Sequence, residues 1–416
     1  MRHFVAPALA LSLLAGCGIP ATAGFGLQGT EGSNVEASKA TLAKRLIVGF
    51  KTAPAKAQIN DIARSTGTAH VKSISKLALS VFEAKSDLRS ARKALLATKG
   101  VQFVESELLP EREPVNAQAV PMMLGFTDGS DPNRKDQWYL DNIGAPKVWD
   151  AVGSKLKTVK VGLIDTGVDL SHPDLKPILI EGFNAAAPGT PPQDQAGHGT
   201  MTAGCVAAVH DNGVGIAGTA TNAKIMPIKV GNSASSVVEA MMWAADHADM
   251  ISMSLSFKPN MPDYPSAVET TKRASEYVMS KKVPMVCSMG NTGTSSRNVP
   301  SAFAGSEVPG LIAVGATDNA DKVTSFSTYG PWTSVSAPGR RIMTTSMGGG
   351  VSAVDGTSFS TPITAGVVAM MLGNGAASDP AAIKAKLQKT ALDIEAPGHD
   401  DKAGAGRIDA FRAVTE

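Results

Sequence analysis

The sequence of 416 residues predicts an α/β fold: a mostly parallel, twisted sheet with helices on both faces, preceded by a smaller α+β unit. Three observations predict it. Beyond residue 131, short near-continuous apolar runs alternate with helical stretches, which is the pattern of parallel strands covered on both faces. Aromatics are scarce at 5% while glycine is plentiful at 41 residues, so the layers must pack through small side chains. Upstream, residues 41–110 carry a separate strand–helix–strand–strand–helix–strand order. The length fits two or three domains, and a hydrophobic share of 43% is ample for their cores.

The upstream unit reads in order. Arg45 to Phe50 is a strand, and Ala55 to Ser65 a helix with Pro54 at its start and Ile59 and Ile62 on one face. Two short strands follow, near His70 to Ile74 and Ala78 to Phe82. Asp87 to Thr98 is helical, with an aspartate in its first turn and Gly100 just past its end. Val101 to Glu105 closes the unit as a strand. This order is that of a ferredoxin-like α+β domain. Residues 111–130, rich in Glu, Pro, Asn, Gly and Ser, read as a linker open to proteolysis.

From residue 131 the larger domain begins. Thr158 to Ile164, Ala223 to Val230, Met250 to Leu255, Val283 to Cys287 and Leu311 to Ala316 read as strands. Gly199 to Val209, Ser235 to His247 and Glu269 to Ser280 read as the helices between them. A long apolar run, Ile363 to Leu372, follows Gly356-Thr357-Ser358-Phe359-Ser360-Thr361-Pro362. Proline suits the first turn of a helix, so Ser358 is expected at a helix N-terminus, where unpaired N–H groups point outward.

The N-terminus reads as a targeting segment. A short basic start precedes an apolar stretch, Val5 to Leu14, which is too short to span a bilayer. Leu14-Ala15-Gly16-Cys17 resembles a bacterial lipobox, which makes residues 1–17 a signal peptide and Cys17 a lipidated first residue. Residues 18–40 read as a flexible tether. The other two cysteines, Cys205 and Cys287, lie among small apolar residues and read as buried unpaired thiols, with no Cys/His spacing for zinc. A net charge of +2 with no basic stripe argues against a nucleic-acid partner.

Four short motifs sit at the ends of the predicted elements. Asp165 ends a buried strand in Val161-Gly162-Leu163-Ile164-Asp165-Thr166-Gly167, the place where open α/β sheets put their chemistry. His198 lies between two glycines at a helix start, in Gly197-His198-Gly199-Thr200. Asn291 follows a strand in Ser288-Met289-Gly290-Asn291-Thr292-Gly293, and its amide can donate to a developing oxyanion. Ser358 is the fourth. Each alone reads as an ordinary turn or cap residue. Together, in the order Asp, His, Asn, Ser, they resemble the subtilisin-like serine proteases, the subtilases; that chain order is subtilisin's own and is carried over from it. The phrases Ser171-His172-Pro173-Asp174-Leu175, Ser336-Ala337-Pro338-Gly339 and Gly404-Ala405-Gly406-Arg407-Ile408-Asp409-Ala410 support the resemblance, which runs from Arg45 to Val414.

The resemblance implies a subtilisin-like sheet, and a serine endopeptidase acting on protein or peptide substrates. Residues 41–110 become an inhibitor-like propeptide, 111–130 a linker holding the maturation cut, and 131–416 the peptidase domain. Ser358 is the implied nucleophile and His198 its base; Asp165 orients the imidazole, and Asn291 with the Ser358 N–H binds the oxyanion. Ser254, Leu255, Ser256, Ser288, Met289 and Gly290 are the implied walls of the substrate pocket. Serine at 256 and methionine at 289 stand where smaller residues are usual, so a narrower pocket is expected. Phe359-Ser360 and Met201-Thr202 also depart from the family pattern without removing a catalytic group.

A structural calcium ion is implied by the loop His210-Asp211-Asn212-Gly213-Val214-Gly215-Ile216. There the carbonyls of His210, Val214 and Ile216 and the Asn212 amide would join Asp174, with Asp131 as a second carboxylate, an oxygen set that suits Ca²⁺. The expected protein is an extracytoplasmic monomer, lipid-anchored as a precursor or secreted after maturation, with its own propeptide as intramolecular partner. The alternative from another class is a catalytically silent surface lipoprotein that binds or scaffolds.

Overall fold

The computed structural model describes residues 39–109, 116–120, 130–258, 260–261, 264–265 and 267–416. The signal peptide, Cys17, nearly all of the tether and most of the linker lie outside the described residues. Among the described residues, no helix is long and apolar enough to cross a membrane.

The N-terminal domain comprises β1 (Arg45–Phe50), α1 (Lys56–Ser65), β2 (Thr68–Ile74), β3 (Leu79–Ala84), α2 (Leu88–Leu96) and β4 (Val101–Ser106). Its antiparallel sheet has the order β2-β3-β1-β4. Asp87 caps α2 by accepting from the Ser90 N–H at 2.7 Å. Alternation along β1 divides the sheet's faces. Leu46, Val48 and Phe50 pack with Ile59, Ala63 and Leu95 of the domain's own helices. Ile47, Leu79 and Val81 face the other way, into a core shared with helices of the larger domain.

The expected linker contains a strand, β5 (Asn116–Val120). No local periodicity marks it, because its partner is remote: β5 pairs with residues 351–355. Next come α3 (Trp138–Asn142) and α4 (Ala145–Val152). The main sheet follows, as β6 (Val159–Asp165), β7 (Phe183–Asn184), α5 (His198–Ala207), β8 (Ala223–Lys229), α6 (Ala234–His247) and β9 (Met250–Met253). A two-residue pair, β10 (Asn260–Met261) with β11 (Tyr264–Pro265), precedes α7 (Val268–Ser280). The chain ends with β12 (Met285–Ser288), β13 (Ile312–Thr317), β14 (Val335–Pro338), β15 (Ile342–Ser346), β16 (Gly350–Asp355), α8 (Thr357–Gly373), α9 (Pro380–Thr390) and α10 (Ala410–Thr415).

Seven strands form one parallel sheet in the order β14-β13-β12-β9-β6-β8-β7. Both faces are covered, which is why its strands read as continuous apolar runs. Val286, Ile312 and Val314 point into a core with α5 and α8. Cys287, Met285 and Ala313 point to the opposite core, with α6 and α7. Helix α8 is buried along nearly its whole length, as a helix with no charged face can be. Cys205 and Cys287 are buried free thiols; burial pushes the Cys205 thiol up to about 12 and raises Cys287 as well.

Candidate active site

Asp165 is the last residue of β6 and is fully buried. Its Oδ1 accepts from the Thr166 N–H at 2.7 Å and lies 2.7 Å from His198 Nδ1. Its Oδ2 accepts from the Thr202 hydroxyl at 3.2 Å. The imidazole's remaining nitrogen is therefore turned away from the carboxylate. The His198 side chain keeps 16% of its surface exposed.

His198 opens α5 rather than preceding it, and its position depends on two neighbours. Gly199 is one: a Cβ there would stand 1.9 Å from the Gly167 carbonyl oxygen, so only glycine lets the helix start press against the end of β6. Asp194 is the other, and sequence reasoning missed it. Its Oδ1 accepts from the Ala196 and Gly197 N–H groups and from the Thr166 hydroxyl, each at 2.9 Å. Its Oδ2 accepts from the Thr200 N–H at 2.9 Å and hydroxyl at 2.6 Å. An acid just ahead of a helix start is a capping signal and could have flagged it. Thr202, noted only as a departure from the family pattern, is the side chain that holds Oδ2.

Ser358 is the second residue of α8 and 8% exposed. Its backbone N–H falls among the first four of the helix, which have no intrahelical acceptor. The expectation for Pro362 needs correction: it lies inside the helix, one turn beyond the first. A proline at that position removes the bond that the Ser358 carbonyl would receive. The Ser254 hydroxyl supplies it instead, donating to the Ser358 oxygen at 2.8 Å. Ser254, expected as pocket wall, thus braces the helix turn that carries Ser358.

Asn291 is fixed against the same turn. Its Oδ1 accepts from the Thr357 N–H at 2.9 Å and the Thr357 hydroxyl at 3.0 Å. Those two bonds orient the amide with its NH₂ on the other side. Gly356, at φ +149°, leaves room for it: a Cβ would stand 3.3 Å from Asn291 Nδ2. The Phe359 ring lies 5.9 Å from the His198 ring, centroid to centroid, which brings the serine turn and the histidine helix together.

Of the other pocket residues, Leu255 and Ser288 are buried. Ser256 Oγ stands 3.0 Å from where a Gly290 Cβ would be, so these two face each other. Met289 is fully buried in the apolar core under α6 and α7, with its carbonyl accepting from Asn298 Nδ2 at 3.0 Å. Its bulk goes into that core, where alternation along the strand sends it with Cys287.

The loop expected to hold calcium closes on two buried carboxylates. Asp174 Oδ2 accepts from the Ile216 N–H and its Oδ1 from Asn212 Nδ2, both at 3.0 Å. Asp131 accepts from the Asp211 and Asn212 N–H groups at 3.0 and 3.1 Å. Asn212 Oδ1 accepts from the Val214 N–H at 2.8 Å, and His210 Nε2 lies 2.7 Å from the Gly218 carbonyl oxygen. Burial raises the Asp174 carboxyl to about 7 and Asp131 helps; burial also raises Asp131. Among the described residues, no group of three or more His, Cys, Asp or Glu side chains is placed to hold a metal. The oxygens available are these two carboxylates with the amide and carbonyls of the loop.

The profile of the subtilase family matches residues 156–406. The chain belongs to the subtilase family. Subtilases are serine proteases, and the Asp165–His198 pair and Ser358 lie within the matched span. Thermitase of Thermoactinomyces vulgaris is 34% identical over 285 residues, covering 67% of this chain and 95% of that protein. Subtilisin amylosacchariticus of Bacillus subtilis subsp. amylosacchariticus is 29% identical over 392 residues, covering 91% of this chain and 92% of that protein. Among solved structures, fervidolysin of Fervidobacterium pennivorans, a keratinolytic enzyme related to subtilisin, superposes with a TM-score of 0.73 at 25% identity. That match covers 90% of this chain but 61% of fervidolysin. The epidermin leader peptide processing serine protease of Staphylococcus aureus shares the fold, with a TM-score of 0.69 over 89% of this chain at 21% identity.

Proposed function

We propose that this subtilase is an exported serine endopeptidase that cuts peptide bonds through an acyl-enzyme on Ser358. The observation that carries the reading is the 2.7 Å contact between His198 and the buried Asp165, with Ser358 on the adjoining helix turn. The Ser358 hydroxyl attacks the scissile carbonyl, and His198 takes its proton and returns it to the leaving amine. Asp165, held by Thr166 and Thr202, fixes the imidazole tautomer and stabilises the imidazolium. The Ser358 N–H and the Asn291 amide receive the oxyanion at the positive end of α8.

The N-terminal domain is read as an inhibitory propeptide. Support comes from its docking, which uses two carboxylates at the end of β4, Glu105 within the strand and Glu107 just past it. Glu105 accepts from the Glu269 and Thr270 N–H groups at the start of α7, at 2.8 and 3.0 Å. Glu107 accepts from the Ser235 N–H at 3.3 Å and from its hydroxyl at the start of α6. Each places negative charge at a helix N-terminus. The 91% coverage of this chain by the subtilisin relative also takes in part of this region.

Calcium is proposed as a structural ligand of Asp131, Asp174, Asn212 and the loop carbonyls of His210, Val214 and Ile216. Bound there, it would supply the positive charge that two buried carboxylates require. Export is supported by the N-terminal segment, and lipid anchoring by the Cys17 motif. The deciding experiment is casein hydrolysis by the purified protein beside Ser358→Ala. Loss of activity in the variant is expected, together with retention of its first domain uncut. Equal activity in both proteins would overturn the assignment, and no activity in either would favour the silent scaffold reading.

A further inference from the structure

Thr202 follows His198 by one helical turn, so the two side chains leave α5 on the same face. Both reach the same carboxylate. His198 Nδ1 lies 2.7 Å from Asp165 Oδ1, and the Thr202 hydroxyl lies 3.2 Å from Oδ2. Thr202 and Asp165 are both fully buried. A helical threonine commonly turns its hydroxyl back to a carbonyl of the preceding turn, and here the Gly199 carbonyl is 3.1 Å away. The hydroxyl has a single hydrogen for these two acceptors. The Gly199 carbonyl already receives the Ala203 N–H in the helix ladder, whereas Oδ2 belongs to a buried anion. Hydrogen bonds to charged acceptors are the stronger kind, so the hydrogen goes to Asp165.

That bond bears on the plane of the carboxylate. The Thr166 N–H and His198 both engage Oδ1, and a carboxylate gripped at one oxygen can swing about it. Thr202 grips the other oxygen, from the same helix that carries the imidazole. The helix itself is clamped by β15. The Thr345 hydroxyl donates to the Thr200 carbonyl at 2.7 Å and the Thr344 hydroxyl to the Met201 carbonyl at 2.5 Å. Gly204 lets that strand approach, since a Cβ there would stand 2.3 Å from Thr345 Oγ1. We propose that Thr202 is a positioning residue for the reaction. Its hydroxyl fixes the plane of the Asp165 carboxylate and, through it, the direction in which His198 faces Ser358. It acts only through those two residues, and the proposal rests on the protease reading above. A base held in one orientation spends less of each encounter misaligned with the proton it must take.

The test compares Thr202→Val, which keeps the shape and loses the hydroxyl, with Thr202→Ser, which keeps the hydroxyl. Thr202→Ala removes the same hydroxyl without β-branching and stands in if Thr202→Val does not fold. kcat and KM are measured on a peptide substrate, and the far-downfield proton resonance of the Asp165–His198 hydrogen bond is followed by NMR. Thr202→Val should lower kcat about tenfold, with KM within about twofold of wild type, and should shift or broaden that resonance. Thr202→Ser should bring both back close to wild type. An unchanged kcat in the hydroxyl-free variant, an unmoved resonance, or a Thr202→Ser enzyme as slow as Thr202→Val each overturns the proposal. A wild-type chain no more active than Ser358→Ala fails the protease reading instead. An active wild type whose hydroxyl-free variants keep its kcat fails this proposal alone.

Discussion

Ser254 shows how a single residue acts through another. Pro362 takes away the helix bond owed to the Ser358 carbonyl, and the Ser254 hydroxyl replaces it. Ser254→Ala leaves that carbonyl buried and short of a partner, a loss of about 1–3 kcal/mol by ordinary hydrogen-bond energetics. Part of this should appear at the nucleophile, because the same turn carries Ser358. The expected outcome is a kcat reduced about tenfold with KM little changed, measured on a peptide substrate; an unchanged kcat removes the bracing role. The motif around Ser358 was legible as a helix start. The brace was not, because Ser254 and Ser358 lie 104 positions apart and nothing local links them. Asp194 is the intermediate case: its capping spacing is visible in the chain, but five hydrogen bonds on one buried carboxylate are visible only in three dimensions.

At the scale of elements, the loop 210–216 and its two carboxylates set a pH dependence. Without calcium, Asp174 has its carboxyl raised to about 7, above its ordinary value of 3.8. A raised carboxyl gives stability that is fully present below the ordinary value and lost as pH rises through about 7. In chelator, the melting temperature should therefore fall between pH 5 and pH 8, with an upper bound of about 3 kcal/mol from this group over that window. Added Ca²⁺ should restore more stability at pH 8 than at pH 5, because it binds the ionised carboxylates. Calorimetry across that range checks both signs, and a chelator that leaves the melting curve unmoved at pH 8 counts against the ion. The strands and helices that periodicity marks coincide with the observed ones at their ends or differ by one or two residues. Several elements went unread, among them β5, whose partner lies far along the chain and leaves no local pattern.

At the scale of the whole molecule, the N-terminal sheet is apolar on both faces. One face packs on its own helices and the other, with Ile47, Leu79 and Val81, on the peptidase. Arg273 of α7 anchors this contact. Its guanidinium donates to the carbonyls of Phe50 and Leu77 at 3.0 and 2.9 Å and to Gln102 at 2.6 Å, and it lies 4.8 Å over the Phe103 ring. Removing it leaves those carbonyls without a charged donor, a loss of order 2 kcal/mol. In the uncut Ser358→Ala chain, Arg273→Ala should speed amide hydrogen exchange in residues 45–106 by roughly 30-fold, 2 kcal/mol converted at 1.4 kcal/mol per decade. Lysine at 273 should recover only part, having no planar fork to reach several acceptors. Unchanged exchange in Arg273→Ala would show that the anchor is dispensable.

The sequence by itself determined the class of the fold and the four residues offered for chemistry. Apolar periodicity depends on neighbours in the chain, and Asp165, His198, Asn291 and Ser358 each end or open an element that is locally encoded. Tertiary structure alone decided what holds those residues: Thr202 and Thr166 on Asp165, Asp194 under His198, Thr357 on Asn291 and Ser254 behind Ser358. It also sent Met289 into the core and laid β5 along β16. These outcomes rest on contacts between segments far apart in the chain, whose geometry is fixed only once the sheet and its helices have packed.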